Sequence, residues 1–206
     1  MRKIAFRLSA VILVVIVASV SYYAYAQAKH VKYVTRALSS CSARTAIVLT
    51  HANHDFDSLS RAIRNVNEAI TYIDGVVNDV HIHSDGSVHF DDEQSFAYMK
   101  LCGDALRTEK SFLEAVGELG SLSAAQQVRQ GGGKDMTDAQ LGASVRSERA
   151  FDELLVRHKL LREALTEIRN ENAAISSEFP PGALVDIGAI EHAQRELDLF
   201  LTKTKS

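Results

Sequence analysis

The chain has 206 residues, of which 46% are hydrophobic and 24% charged, with two Pro, two Cys, no Trp and a net charge of −3. This fits one globular, mostly helical unit, and a mildly acidic body argues against nucleic acid, whose phosphates demand a basic face. Two cysteines exclude a four-cysteine zinc site, and no C-x-x-C redox motif is present.

Residues 1–28 read as a targeting or anchoring segment. Arg2, Lys3 and Arg7 precede an uncharged run over residues 8–28 that is rich in Val and Ile near its start and in Tyr near its end. Ala24-Tyr25-Ala26 has the small-x-small form of a signal-peptidase site. The run is equally long enough to span a bilayer core of about 30 Å, with Tyr22, Tyr23 and Tyr25 in the interfacial belt. Two outcomes follow, release after Ala26 or retention as an anchor through residues 4–28. Under both, the expected place of the body is the periplasmic side of a bacterial cytoplasmic membrane. Removing residues 1–26 would take away three basic residues and no acidic one, moving the net charge from −3 to −6.

Residues 29–119 are expected to form a three-helix core. The first helix, from Lys29 to about Ala52, carries Val31, Val34, Leu38, Cys41, Thr45 and Val48 on one face. The second is expected to be the element around which the others assemble. Read at steps of three and four, Phe56, Leu59, Ile63, Val66, Ile70, Ile73, Val77 and Val80 are all apolar, the mark of a heptad stripe. Beyond it the period shortens. Val80-His81-Ile82-His83, a Ser-Asp-Gly turn and Ser87-Val88-His89-Phe90 alternate as a short β-hairpin over residues 80–90, with a three-residue loop. That register places His81, His83 and His89 on one strand face, where three imidazoles could hold Zn²⁺, Cu²⁺ or Ni²⁺. No other cofactor is implied.

The third helix, about 92–119, carries Met99, Cys102, Leu106, Leu113 and Val116. With helices running up, down and up, Cys41 and Cys102 stand at heights of roughly 18 and 15 Å, both facing inward. In an oxidising compartment they are expected to form a disulfide, making the first and third helices neighbours. Residues 120–136, with three consecutive glycines, read as a flexible linker. Gly131-Gly132-Gly133-Lys134-Asp135 lacks the leading Gly and the Ser or Thr of a phosphate loop.

Thr137-Asp-Ala-Gln140 is a capping box opening what is expected to be the longest helix, to about Phe179. Its seam is Phe151, Leu154, His158, Leu161, Leu165, Ile168, Asn172 and Ile175. His158 and Asn172 fall at a positions, and Asn there fixes register and partner number in coiled coils. Pro180-Pro181-Gly182 stops the helix. A last amphipathic helix then completes residues 137–206.

The expected fold is an all-α antiparallel bundle of about five helices with coiled-coil-like packing and one hairpin. No G-x-S-x-G, H-E-x-x-H or dinucleotide motif occurs, and no enzyme activity is expected. The expected function is that of an exported envelope scaffold or adaptor, binding another envelope protein or a second copy through the residue 151–175 seam. The alternative is a sensor-like module that takes a small ligand or a metal at the histidines.

Overall fold

The computed structural model describes the backbone of residues 2–51, 56–83, 90–130, 138–177, 179 and 182–205, and the side chains of residues 16–25, 32, 34–49, 58–78, 93–123, 145–177, 179 and 182–202. Among the described residues there are five helices and no strand: α1 (Arg2–His51), α2 (Phe56–His83), α3 (Phe90–Gln130), α4 (Asp138–Ile175) and α5 (Ile187–Lys205). The protein is an all-helical bundle.

Helices α1, α2 and α3 pack on one another pairwise, α4 packs on α3, and α5 closes against both α4 and α1. The pair α1 and α3 is thus a shared wall, with α2 on one side and α4 and α5 on the other. In the pairs α2–α3, α3–α4 and α4–α5 the neighbours run antiparallel. Arg107 meets Asp74 while Gly117 faces Leu59, Tyr98 meets Asn172 while Phe112 faces His158, and Thr166 meets Gln194 while Arg162 meets Asp198.

The organising element is α3 and not α2. Around α3 the buried positions include Ser95, Tyr98, Met99, Cys102, Ala105, Leu106, Glu109, Phe112, Leu113, Ala115 and Val116, which go well beyond a single stripe. A helix covered on several sides loses its polar face and with it the clean amphipathic period. The 56–80 stripe of α2 does turn inward. Leu59, Val66 and Ile73 are buried, Ile63, Ile70 and Val77 are half-buried, and Ala62 and Ala69 are buried beside them. Its regularity marks a helix with one covered face, which is a peripheral helix.

Helix α1 is continuous across the boundary expected near residue 28. No Gly or Pro interrupts residues 2–51, and at 1.5 Å per residue the helix is roughly 75 Å long. The described side chains of residues 16–25 are all exposed, and burial begins at Val34. The N-terminal half therefore extends beyond the bundle.

Four further expectations are corrected. Residues 80–83 are the last turn of α2, and Phe90 already belongs to α3, so the hairpin is absent there; residues 84–89 lie outside the described residues. The expected linker begins too early, because α3 runs on to Gln130. Residues 121–130 contain no helix breaker, and the Ser121 and Ser123 hydroxyls donate to the Glu118 and Leu119 carbonyls at 2.8 and 3.0 Å. Helix α4, with 38 residues, is shorter than α1 with 50 and α3 with 41, so it is not the longest. Cys41 and Cys102 are both buried but are free thiols, with no disulfide between them.

Candidate functional site

The seam expected to meet another protein is used up inside the chain. Leu154, Leu161, Leu165 and Ile168 are fully buried, Ile175 nearly so, and Phe151 is half-buried. All of these except Phe151 join the same core as α3 and α5. The two polar members are buried with them and each has a partner within the chain.

Asn172 belongs to a closed hydrogen-bonded ring. The Val185 N–H donates to the Tyr98 hydroxyl at 3.1 Å, that hydroxyl donates to Asn172 Oδ1, and Asn172 Nδ2 donates to the Val185 carbonyl at 2.6 Å. All three residues are buried, so the ring satisfies groups that would otherwise cost free energy away from water. Burial also pushes the Tyr98 phenol well above its usual range, and the phenol remains protonated. This ring ties α3 and α4 to the segment leading into α5. There Gly182 takes φ of 81°, a left-handed conformation that disfavours side chains. Asp186 then caps α5, its carbonyl accepting from the N–H groups of Ala189 and Ile190 at 3.1 and 3.2 Å.

His158 is 6% exposed, and its Nε2 lies 3.2 Å from the Leu197 carbonyl. A carbonyl can only accept, so Nε2 carries the proton. The ring packs edge-on to Phe112, which also meets Phe200 edge-on at 5.6 Å between centroids. His158 thereby fastens α5 to α4, with its Nε2 committed to a structural bond.

The two thiols lie in the wall between α1 and α3. Burial pushes both Cys41 and Cys102 up to about 12, with the Arg44 charge acting weakly against it at Cys41 and the neighbouring Thr45 and Tyr98 hydroxyls at Cys102. Because the thiolate is the reactive form, burial holds both groups as the unreactive thiol near neutral pH. Thr45 is buried in the same layer, donating to the Cys41 carbonyl at 3.0 Å.

Of the histidines expected to share a strand face, His81 and His83 belong to the backbone of α2 and not to a strand, and their side chains lie outside those described. His89 lies outside the described residues. Among the described residues there is no group of three or more His, Cys, Asp or Glu side chains arranged to hold a metal ion.

Two surface features remain. Between α1 and α2 an open groove encloses about 540 Å³, lined by Ser40, Arg44 and Val48 from α1 and by Asn65, Val66 and Tyr72 from α2. Across it the Arg44 guanidinium lies 3.8 Å from the centre of the Tyr72 ring. The second feature is the part of α1 below the bundle, where Ile16, Val17, Val20, Tyr22, Tyr23 and Tyr25 are all more than half exposed. Among the described residues no helix is long and apolar enough to cross a membrane; the side chains of residues 1–15, which include most of the Val- and Ile-rich run, lie outside them.

Compared with protein-family models, with curated proteins and with solved structures, the chain matches none. What defines it is its own architecture, an all-helical bundle whose first helix continues well past the packed body.

Proposed function

We propose that this is a non-enzymatic cell-envelope protein, a helical bundle tethered to the outer face of the cytoplasmic membrane by its N-terminal helix and serving there as a scaffold or adaptor. The observation carrying the proposal is the exposed apolar stretch of α1. Ile16, Val17 and Val20 are 56%, 57% and 62% exposed, and their helix leads back through uncharged residues to Arg7, Lys3 and Arg2. Lipid is the solvent that suits such a stretch, with the basic end held on the cytoplasmic side and the tyrosines at the interface. The bundle's own seams are filled, so an adaptor would engage its partner, another envelope protein or a second copy, through outward positions such as Val156 and Leu160 of α4, which are 53% and 44% exposed.

Fusions of the full chain at its C-terminus to alkaline phosphatase and to green fluorescent protein test the location. Phosphatase activity in the membrane fraction with a dark fluorescent fusion is expected, and a fluorescent cytoplasmic fusion refutes the tether. Photo-crosslinking from Val156 and Leu160 in cells, with light scattering of the purified full chain, tests the adaptor role. A monomer that crosslinks to nothing counts against it.

A further inference from the structure

We infer that the groove between α1 and α2 is a binding site for a small organic carboxylate with an apolar body, its carboxylate held by Arg44. The groove encloses about 540 Å³, within the range of roughly 300–1,000 Å³ usual for small-molecule sites. Its floor is apolar and fixed, since Val48, Val66 and Ala69 are buried core residues. At its rim the Arg44 guanidinium carbon lies over the Tyr72 ring, 3.8 Å from its centre. A guanidinium held over a ring in this way can still offer its fork of N–H donors, which matches a carboxylate.

Among the described residues no carboxylate forms an ion pair with Arg44, whereas Arg107, Arg157 and Arg162 each have at least one. Glu68 lines the same groove from α2 and is not in ion-pair contact with Arg44. Its charge on the helix facing Arg44 selects against a second anionic group on the ligand. A planar monocarboxylate with an aromatic or branched body satisfies all three features. The body covers the Val66 and Ala69 floor, and the carboxylate takes the guanidinium fork. This site does not depend on the membrane tether.

The test uses the full chain in lipid nanodiscs, titrated with benzoate and, as the uncharged isostere, benzamide, with saturation-transfer NMR and calorimetry as readouts and empty nanodiscs as the blank. Saturable benzoate binding is expected in the millimolar range, with benzamide at least about tenfold weaker. Arg44→Gln should weaken benzoate by about tenfold or more, and Arg44→Lys by less, because charge remains while the fork is lost. Ala43→Phe, at an exposed lining position, should abolish binding by filling the groove with Arg44 intact. Lys100→Gln, outside the groove, should leave it unchanged. Helical content by circular dichroism verifies that each variant is folded. The inference is overturned if the wild-type protein shows no saturable benzoate binding up to about 50 mM, if benzamide binds equally well, or if folded Arg44→Gln binds as the wild type does.

Discussion

Replacing Asn172 by Leu separates two accounts of a polar residue in an apolar seam. In a coiled-coil interface an a-position Asn lowers stability for the sake of register, so Leu should stabilise. In the structure Asn172 accepts from Tyr98 and donates to Val185 at 2.6 Å, both contacts being buried. Leu would leave the Tyr98 hydroxyl without its acceptor and the Val185 carbonyl without its donor. Each stranded group costs about 1–3 kcal/mol, and the extra apolar burial of Leu offsets about 1 kcal/mol. The expected net loss is about 1–5 kcal/mol, equivalent to a fall in Tm of roughly 2–20 °C for a chain of this size. Urea unfolding of the full chain followed at 222 nm measures it, provided the m-value is unchanged. Tyr98→Phe should be destabilising on its own but cost less when Asn172 is already Leu, with a coupling of about 1–3 kcal/mol. An Asn172→Leu variant as stable as the wild type or more so, or strict additivity with Tyr98→Phe, would refute the ring as a source of stability.

The remaining predictions concern the thiols and the α2–α3 contact. Folded protein at pH 8 should resist iodoacetamide at both Cys41 and Cys102, with two thiols labelled after unfolding, and dithiothreitol should leave the urea midpoint unchanged; a midpoint lowered by reductant would indicate a disulfide. Both folded-state thiols are raised from 9.0 to about 12, so their contribution to stability is complete below pH 9 and is lost as pH rises from there toward 12. Melting temperatures between pH 8 and pH 11 should therefore fall, more shallowly in a Cys41→Ala/Cys102→Ala double variant. Arg107 bridges Asp74 and Asp104 at 2.5 and 2.7 Å but is about half exposed; Arg107→Met should cost less than about 1 kcal/mol, and high salt should erase the difference. A Cβ on Gly117 would lie 3.0 Å from Leu59 Cδ2. Gly117→Ala should be nearly neutral, because the gain in helix propensity meets a movable side-chain tip, whereas Gly117→Val should destabilise by about 1–3 kcal/mol in the same urea assay.

Much of the helical architecture is legible in the residue pattern, and each departure from it has a physical cause. The α2 stripe and the α4 seam were readable because each is an amphipathic row, but a row states only that something covers it. In α4 the cover is the chain's own α3 and α5, and Asn172 and His158 point to Tyr98 and Leu197 far along the sequence. Tyr98 carries a signal of its own: a tyrosine one position before the Met99 and Cys102 row, whose hydroxyl needs a buried partner. The hairpin failed because four alternating residues at 80–83 cannot outweigh a cooperative helix already running through Ile73 and Val77. The thiols do face inward, yet facing the core does not by itself bring two sulfurs into bonding geometry. The groove was invisible because nothing in one dimension pairs Arg44 with Tyr72.

The uninterrupted course of α1 has a mechanical consequence. A rod without a joint transmits torque, so twisting its protruding half about the long axis must turn the wall that it shares with α3, along with the layers of side chains packed on that wall. Tension along the same rod would load those layers in shear, many contacts sharing the force at once, instead of peeling them apart one by one.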